Sequence, residues 1–112
     1  MEREFILLPE FDRQWAKLGF NDDDLIRLQE EIKKDPNLGT VIVGTGGIRK
    51  MRFAFKGRGK SGSARILYID ILVTEKVLLL GAYAKNEQET LSDKEKDYLK
   101  NMATEIVKYY NR

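Results

Sequence analysis

The sequence predicts an α+β fold, with a small, mostly antiparallel sheet, two N-terminal helices and a C-terminal helix. Apolar residues recur at helical spacing near both ends of the chain and alternate at a period of two in the middle. Glycine, proline and polar clusters separate these segments. The predicted order is β-α-α-β-β-β-α, with the helices packed on one side of the sheet. The 112 residues suffice for one domain, spanning residues 1–112.

The first segments predict a strand and a helix. Residues 3–8 are short and apolar and end at Pro9, which is typical of an opening strand. Residues 10–18 place three apolar side chains on one helical face, because the spacings are four and three: Phe11, Trp15 and Leu18. Gly19 ends this helix as a C-cap.

A second helix follows, capped by Asn21 or Asp22. Acidic residues gather in its first turn, where the helix dipole favours them. Asp35-Pro36 ends the helix, and its buried stripe comprises Leu25, Leu28 and Ile32. The two helices therefore predict a hairpin with a charged outer face.

Residues 37–47 predict a loop, because four of them are glycine. A glycine-rich loop can bind phosphate, but this one lacks the Gly-Lys-Ser/Thr ending of a P-loop. The interpretation that glycine permits a tight chain path is therefore favoured over a phosphate site.

Three strands are predicted in the middle of the chain. In residues 48–55, Met51 and Phe53 point one way, while Lys50 and Arg52 point the other. Residues 56–63, rich in Gly, Lys and Ser, predict a basic hairpin loop. The next strand covers residues 64–73, and the side chains that suit its core face are Leu67, Ile69 and Ile71.

The third of these strands and the closing helix complete the chain. Residues 77–85 are almost continuously apolar, as in a strand buried on both faces. A helix then runs from Asp93 to Tyr110, with Ser92 and Glu95 forming a capping box. Its inner stripe comprises Leu99, Met102, Ala103, Ile106 and Tyr110.

Composition excludes several classes of protein. Cys and His are both absent, which excludes ordinary zinc sites and Ser-His or Cys-His nucleophilic catalysis. Any acid–base chemistry must therefore use Lys, Arg, Tyr, Asp or Glu, and we expect no cofactor. No apolar stretch approaches the ~20 residues of a membrane span. The start of the chain does not resemble a signal peptide, so a cytoplasmic location and no membrane partner are expected.

The charge is distributed unevenly. Residues 44–69 contain seven basic residues and no acidic one, whereas the rest of the chain carries a net −5, for the total of +2. A positive segment within an otherwise acidic chain indicates a site for a polyanion. A solvated basic loop is the alternative interpretation of the charge.

Alternation brings several functional side chains to one patch. If the core lies behind Met51 and Phe53, then Lys50 and Arg52 stand on an exposed face. On the next strand, the side chains expected on this same face are Ile66 and Tyr68. On the last strand they are Tyr83 and Lys85. By strict alternation, Arg65 falls on the opposite face and joins the patch only through a twist or bulge.

Clustered cations can cleave RNA, because its 2′-hydroxyl is a built-in nucleophile. The protein must orient that oxygen, remove its proton and stabilise the charged phosphorane. A lysine among other cations loses its proton more readily and can act as a base. A guanidinium can bind two phosphate oxygens, and a tyrosine can stack on an unpaired base. The alternative is that Tyr68 and Tyr83 are half-buried sheet residues, and that Lys56, Arg58 and Lys60 are solvated charges.

Three stretches carry distinctive motifs: Gly44-Thr45-Gly46-Gly47-Ile48-Arg49-Lys50-Met51-Arg52, the segment from Lys56 to Tyr68, and Tyr83-Ala84-Lys85-Asn86-Glu87 followed by Leu91-Ser92. They resemble the corresponding motifs of the RelE toxin superfamily, in its HigB-like branch. Asn37-Leu38-Gly39-Thr40-Val41-Ile42 also fits the pattern. The resemblance covers residues 22–100.

This resemblance implies a ribosome-dependent mRNA endoribonuclease that inhibits translation. It implies cleavage in the ribosomal A site without a metal, leaving a 2′,3′-cyclic phosphate or 3′-phosphate and a 5′-hydroxyl. It also implies a cognate helix-turn-helix antitoxin, similar to HigA, and contact with operator DNA only through the complex with that antitoxin.

The resemblance also implies roles for individual residues. Lys50 and Arg52 match the basic pair on the first central strand, Arg65 matches the arginine that contacts the scissile phosphate, and Tyr68 and Lys85 line the same cleft. The candidate catalytic residues are therefore Lys50, Arg52, Arg65 and Lys85. The candidate RNA-binding residues are Arg49, Lys56, Arg58, Lys60, Tyr68 and Tyr83.

The chain departs from the RelE pattern at two positions. Asn86 replaces a second arginine, and the position of a tyrosine that stacks on the substrate falls near Ser92. Two other functions remain open at this point: a ParE-like toxin that inhibits gyrase, and a non-catalytic module that binds RNA or the ribosome. The first does not need the basic patch, and the second predicts salt-sensitive binding without cleavage.

Overall fold

The protein is described from a computed structural model that covers residues 3–54, 63–71, 74–84 and 91–110. In these residues the elements are, in chain order, β1 (Glu4–Leu7), α1 (Pro9–Lys17), α2 (Asp22–Lys34), β2 (Thr40–Val41), β3 (Arg49–Ala54), β4 (Ser63–Ile71), β5 (Lys76–Ala84) and α3 (Asp93–Tyr110). The predicted α+β class and the predicted order are confirmed. The structure adds β2, a two-residue strand inside the segment predicted to be a loop.

Five strands of the described chain form one sheet in the order β1-β5-β4-β3-β2. β1 is parallel to β5, and the other neighbours are antiparallel. The first strand of the chain therefore pairs with the last, and the central strand β4 lies between β5 and β3. The expectation of a mostly antiparallel sheet is confirmed.

Helices α1 and α2 cover one face of the sheet. Phe11 and Trp15 of α1 and Leu28 and Ile32 of α2 are buried there, as the helical spacing predicts. They pack on sheet residues that include Met51, Phe53, Ile66, Tyr68, Val77 and Leu79. The ring of Trp15 stacks on that of Phe20, with 4.2 Å between centroids, which closes the core at the turn between the two helices. We call this face the hairpin face.

Helix α3 covers the other face, so the prediction that all helices lie on one side is wrong. Its inner residues Leu99, Met102, Ala103 and Ile106 pack on Ile48, Leu67, Ile69, Ile71, Leu78 and Leu80. The reason is that β4 is apolar on both faces, with Ile66 and Tyr68 on one and Leu67 and Ile69 on the other. Two buried faces need two layers of helix. We call this second face the α3 face.

A bulge in β5 shapes one end of the α3 face. Leu67 pairs with Gly81 and Tyr68 pairs with Leu79, so Leu80 is an extra residue on β5. Beyond Leu79, where β1 has ended, Gln14 of α1 continues the hydrogen bonding: its Oε1 accepts the backbone N–H of Ala82 at 2.8 Å. A Cβ at Gly81 would lie 3.2 Å from that oxygen, which explains the glycine within this strand.

The edge of the sheet beside β3 depends on a close backbone approach. Gly39 has φ +75°, and a Cβ built on it would lie 2.1 Å from the carbonyl oxygen of Lys50. Only glycine permits both that conformation and that contact. Gly39 therefore brings β2 into register with β3, where Thr40 pairs with Lys50.

The helix ends follow the predicted capping chemistry. The side chain of Asn21 accepts the backbone N–H of Asp24, whose carboxylate accepts the N–H of Asn21 in return. Ser92 and Glu95 form the same reciprocal pair at the start of α3. Within the residues described, no helix has both the length and the apolar character needed to cross a membrane.

Candidate functional site

Two arginines lie directly opposite each other on adjacent strands. Arg52 of β3 is the register partner of Arg65 of β4, and Lys50 is the partner of Leu67. Partners in an antiparallel pair point to the same face, with Cβ atoms about 4.5–5.5 Å apart. Because Leu67 packs beneath α3, all three cations lie on the α3 face. We call Arg52 and Arg65 the arginine pair.

This placement corrects the prediction for β4. Ile66 and Tyr68 were expected beside Lys50 and Arg52, but they lie on the hairpin face. Arg65 was expected on the opposite face from Arg52 and instead shares its face without any bulge between them. The prediction failed because Leu67 was assigned to the same core as Met51, whereas the sheet has a separate core on each face.

The arginine pair is electrostatically unfavourable by itself. Like charges directly opposite in a sheet repel, and Arg52 is exposed while Arg65 is half-buried. Arg65 Nη1 donates to Ser63 Oγ at 3.1 Å, a neutral partner. Neither guanidinium forms an ion pair with a carboxylate in the described parts of the chain. A bound anion would relieve this repulsion, and phosphate is one of the anions whose oxygens match guanidinium geometry.

Tyr83 extends the arginine pair into a row of three side chains, on the third strand β5. It is the register partner of Arg65 on β5 and lies on the α3 face, as predicted. Burial raises the pKa of its hydroxyl, the Arg65 guanidinium lowers it, and the Glu95 carboxylate raises it. The hydroxyl is buried, and no described residue forms a hydrogen bond with it. Arg52, Arg65 and Tyr83 therefore form a line across three strands.

Tyr68 does not belong to this line. Its side chain is fully buried on the hairpin face, and its hydroxyl donates to the carbonyl oxygens of Pro36 and Leu38, both at 2.9 Å. Burial raises the pKa of Tyr68 to about 12. No face of the ring is open to an RNA base, so the geometry gives Tyr68 a structural position instead of the expected RNA-binding one.

Arg49 also lies apart from the arginine pair. It pairs with Tyr68 across β3 and β4, on the hairpin face, and its Nη1 donates to the carbonyl oxygen of Asn37 at 2.9 Å. The other expected site residues, Lys85, Lys56, Arg58 and Lys60, lie outside the described residues. The structure thus brings together Lys50, Arg52, Arg65 and Tyr83, and it separates Arg49 and Tyr68 from them.

A cleft of about 670 Å³ opens beside Tyr83. It lies between the start of α1, the bulge of β5 and the N-terminal half of α3. Sequence analysis did not predict this cleft, because its walls come from segments far apart in the chain. The one sequence signal was Gly81, a glycine within an otherwise apolar strand.

The fold and this site define an α+β domain whose sheet is covered by helices on both faces and carries a partly exposed cationic strip on one of them. The sequence model for the RelE toxin of the RelE / RelB toxin-antitoxin system matches residues 8–112. The chain therefore belongs to the RelE toxin family and is a toxin of a toxin–antitoxin system, with an antitoxin as its partner.

A solved relative supports the same fold. The structure of E. coli toxin RelE, an arginine-to-alanine double mutant in the free state, matches with a TM-score of 0.57 and 14% sequence identity. The match covers 80% of this chain and 90% of the E. coli chain. At this identity the likeness concerns the fold alone, so the roles of individual side chains depend on the geometry described above.

Proposed function

We propose that this toxin is a metal-independent endoribonuclease that cleaves mRNA in the ribosomal A site and thereby inhibits translation. The observation that carries the proposal is the arginine pair, two opposed guanidiniums at the border of the surface that α3 covers, with Lys50 beside them. The membership of this chain in the RelE toxin family supports the same function. Repulsion between Arg52 and Arg65 is tolerated in a sheet when a ligand of opposite charge compensates it.

The chemistry follows from what clustered cations can do. The 2′-oxygen of the RNA forms a bond to phosphorus while the bond from phosphorus to the 5′-oxygen breaks, which gives a 2′,3′-cyclic phosphate and a 5′-hydroxyl. Arg52 and Arg65 bind the non-bridging oxygens and stabilise the negative charge of the phosphorane. Lys50 is the candidate base for the 2′-hydroxyl proton, and Lys85, outside the described residues, is the other candidate catalytic lysine.

The partners of this reaction are also part of the proposal. The ribosome presents an unpaired codon to the α3 face, and the mRNA is the substrate. The antitoxin that the family implies is a helix-turn-helix protein similar to HigA, and the toxin reaches operator DNA only through it. The proposed site lies on the same face as α3, so an antitoxin that contacts α3 or the arginine pair would block the substrate.

The deciding experiment is induction of the chain in a growing bacterium without any antitoxin. We expect growth arrest and mRNA cuts at fixed positions within codons. Arg52→Ala and Arg65→Ala should each relieve the arrest, whereas Lys108→Ala, which removes an exposed cation from the far end of α3, should not. Harmless wild-type protein or uncut messages would contradict the proposal. Ribosome binding without cuts would indicate a binding module, and DNA damage without mRNA loss a gyrase inhibitor.

A further inference from the structure

The bulge in β5 decides which face of the sheet Tyr83 occupies. Leu79 lies on the hairpin face, so strict alternation would return Tyr83 to that same face. The extra residue Leu80 shifts the alternation by one position, and Tyr83 lies instead on the α3 face, as the register partner of Arg65. The place of Tyr83 in the row therefore depends on a bulge that must keep its position.

Strand β1 ends too early to hold this bulge. Its pairing with β5 stops at Leu79, whose carbonyl oxygen accepts the N–H of Leu8 at 3.1 Å. Helix α1 then begins at Pro9, so in the described part of the chain no strand continues β1 beside the far end of β5. A strand edge without a paired neighbour has no fixed partners for its backbone N–H groups, and its register is weakly specified. Another group must therefore fix β5 beyond Leu79.

Gln14 of α1 supplies the missing acceptor. Its Oε1 accepts the backbone N–H of Ala82 at 2.8 Å, directly after the bulge and next to Tyr83 in the chain. A Cβ on Gly81 would lie 3.2 Å from the same oxygen, so the glycine gives the amide room to approach the backbone. The side chain of a helical residue thus takes the place of one residue of a neighbouring strand.

Glu10 fixes the direction in which the Gln14 amide points. Gln14 Nε2 donates to Glu10 Oε1 at 3.0 Å, one helical turn earlier in α1. An ionised carboxylate only accepts hydrogen bonds, so it holds the amide nitrogen on its own side and leaves the amide oxygen toward Ala82. A side chain that is hydrogen-bonded through both of its polar atoms has little rotational freedom, as a positioning residue requires.

We propose that Gln14 is a positioning residue of the ribonuclease site, which acts by holding the β5 bulge and thereby keeping Tyr83 beside Arg65. This inference rests on the proposed function. Ser63 Oγ accepts from Arg65 Nη1 at 3.1 Å on one strand, and Tyr83 stands opposite Arg65 on the next. When β5 slips by one residue, Tyr83 turns to the hairpin face and Arg65 loses its neighbour on that side. The guanidinium is then less well fixed against the phosphate.

An apolar substitution and an exchange of two side chains test the role of the acceptor. Gln14→Met keeps the length and helix propensity of the side chain but removes the acceptor for Ala82. We expect the single-turnover cleavage rate on programmed ribosomes to fall about 10- to 100-fold, because misplacement of a site by about 1 Å has effects of this size. Ribosome affinity should not change, since every cation that binds phosphate is still present.

The matched variant combines Glu10→Gln with Gln14→Glu, which preserves the net charge. It exchanges donor and acceptor within the pair and keeps a carboxylate oxygen as the acceptor for Ala82. We expect this double variant to recover most of the cleavage rate that Gln14→Met loses. Lys17→Ala, at an exposed position of the same helix, is the control and should cleave at the wild-type rate.

Two measurements on the purified full-length toxin require no ribosome. Hydrogen exchange of the Ala82 amide should be at least about 10-fold faster in Gln14→Met than in the wild type or the double variant. In an NMR titration of the wild type, burial should raise the pKa of Tyr83 above its ordinary value. In Gln14→Met the pKa of Tyr83 should return toward about 10, a change that loss of stability alone does not cause in a folded sample.

Three results would overturn the inference. They are wild-type cleavage by Gln14→Met, a double variant that recovers none of the lost rate, and a Tyr83 pKa that is the same in Gln14→Met as in the wild type. Failure of the ribonuclease proposal would look different, because the wild-type toxin itself would leave messages intact. In that case the Ala82 exchange and the Tyr83 titration would still show whether Gln14 holds β5.

Discussion

Arg52 and Arg65 are direct partners across β3 and β4, and their side chains lie on the same face of the sheet. Opposed like charges destabilise an antiparallel pair by roughly 0.2–1 kcal/mol. The fold therefore holds two guanidiniums together at a cost in stability, at the border of the surface that α3 covers. Binding of one phosphate by both guanidiniums, as proposed above, would account for this arrangement.

Arg52→Ala should reduce cleavage while leaving the protein at least as stable. Loss of one preorganised donor to a developing anion lowers the rate by about 100- to 1,000-fold. Removal of a like charge opposite Arg65 should leave the free energy of unfolding unchanged or raise it by up to about 1 kcal/mol. In vitro translation with primer extension measures the first effect, and urea unfolding measures the second. A less stable variant would show that Arg52 supports the fold instead.

Tyr68→Phe should lower stability without impairing the site. The hydroxyl donates to the carbonyl oxygens of Pro36 and Leu38, and its removal leaves both partly buried acceptors without this donor. We expect the free energy of unfolding to fall by about 1–2 kcal/mol. The folded variant should cut messages at the wild-type rate, because Tyr68 lies on the hairpin face. A large loss of activity in a fully folded sample would instead support the RNA-binding role first expected for Tyr68.

Alkaline pH should destabilise the protein through Tyr68. Burial raises the pKa of Tyr68 to about 12 in the folded protein, against an ordinary value of about 10. Between these values the unfolded chain has lost the proton that the folded protein keeps, so the free energy of unfolding falls as pH rises. This contribution is complete below about pH 10 and is lost as pH passes about 12, and it is on the order of 2 kcal/mol. The higher pKa of Tyr83 acts in the same direction.

Urea unfolding between about pH 9 and 11 tests this effect, with Tyr68→Phe as the matched variant. The variant should show a shallower decline of unfolding free energy with pH than the wild type. Identical slopes would mean that Tyr68 ionises equally easily in both states.

Asp70→Asn should be strongly destabilising. Arg3 binds Asp70 in a bidentate pair, with Nε at 2.8 Å from Oδ1 and Nη2 at 3.3 Å from Oδ2, and the two side chains are only 6% and 10% exposed. Loss of the carboxylate charge removes one half of a largely buried ion pair, and such a loss typically costs about 3–5 kcal/mol. Glu4→Gln is the control, because the Glu4–Lys76 pair is more exposed and should contribute less than about 1 kcal/mol. Urea unfolding compares them, and similar losses for both variants would contradict this distinction.

Gly39→Ala should disturb the site from the edge of the sheet. A Cβ there would lie 2.1 Å from the Lys50 carbonyl oxygen, so β2 or β3 must move. We expect a loss of at least about 2 kcal/mol in unfolding free energy and reduced cleavage. Gly19→Ala is the matched control, since Gly19 also has a positive φ but its Cβ would meet nothing within 4 Å. Its cost should be about 1 kcal/mol with normal cleavage, and equal effects would contradict the role of the contact at Lys50.

The sequence was sufficient to predict the local structure. Helical spacing identified Phe11, Trp15, Leu28 and Ile32 as buried, and capping residues marked where α2 and α3 begin. These features depend on residues that lie only a few positions apart, so the periodicity of the sequence is enough to predict them. The alternation of side chains along β3 likewise placed Arg52 and Met51 correctly on opposite faces of the sheet.

The arrangement of layers was harder to predict. Alternation assigns residues to two faces of a strand, but it does not say which face meets which helix. Leu67 and Met51 are both buried, yet they lie in cores on opposite sides of the sheet. For this reason the prediction placed Arg65 on the wrong face. Its face is fixed by its pairing with Arg52 on the neighbouring strand, and the sequence of one strand does not reveal such a pairing. The cleft beside Tyr83 was not predicted for the same reason, because it too depends on how separate segments pack together.

Parallel pairing of β1 with β5 makes the order of biosynthesis matter for this toxin. Glu4 through Leu7 emerge early during translation, but their partners Lys76 through Leu79 are made much later. The row from Arg52 to Tyr83 likewise needs β5. We therefore expect fragments that terminate before β5 to be harmless to the cell that makes them, because neither the complete sheet nor the row exists until β5 has been synthesised.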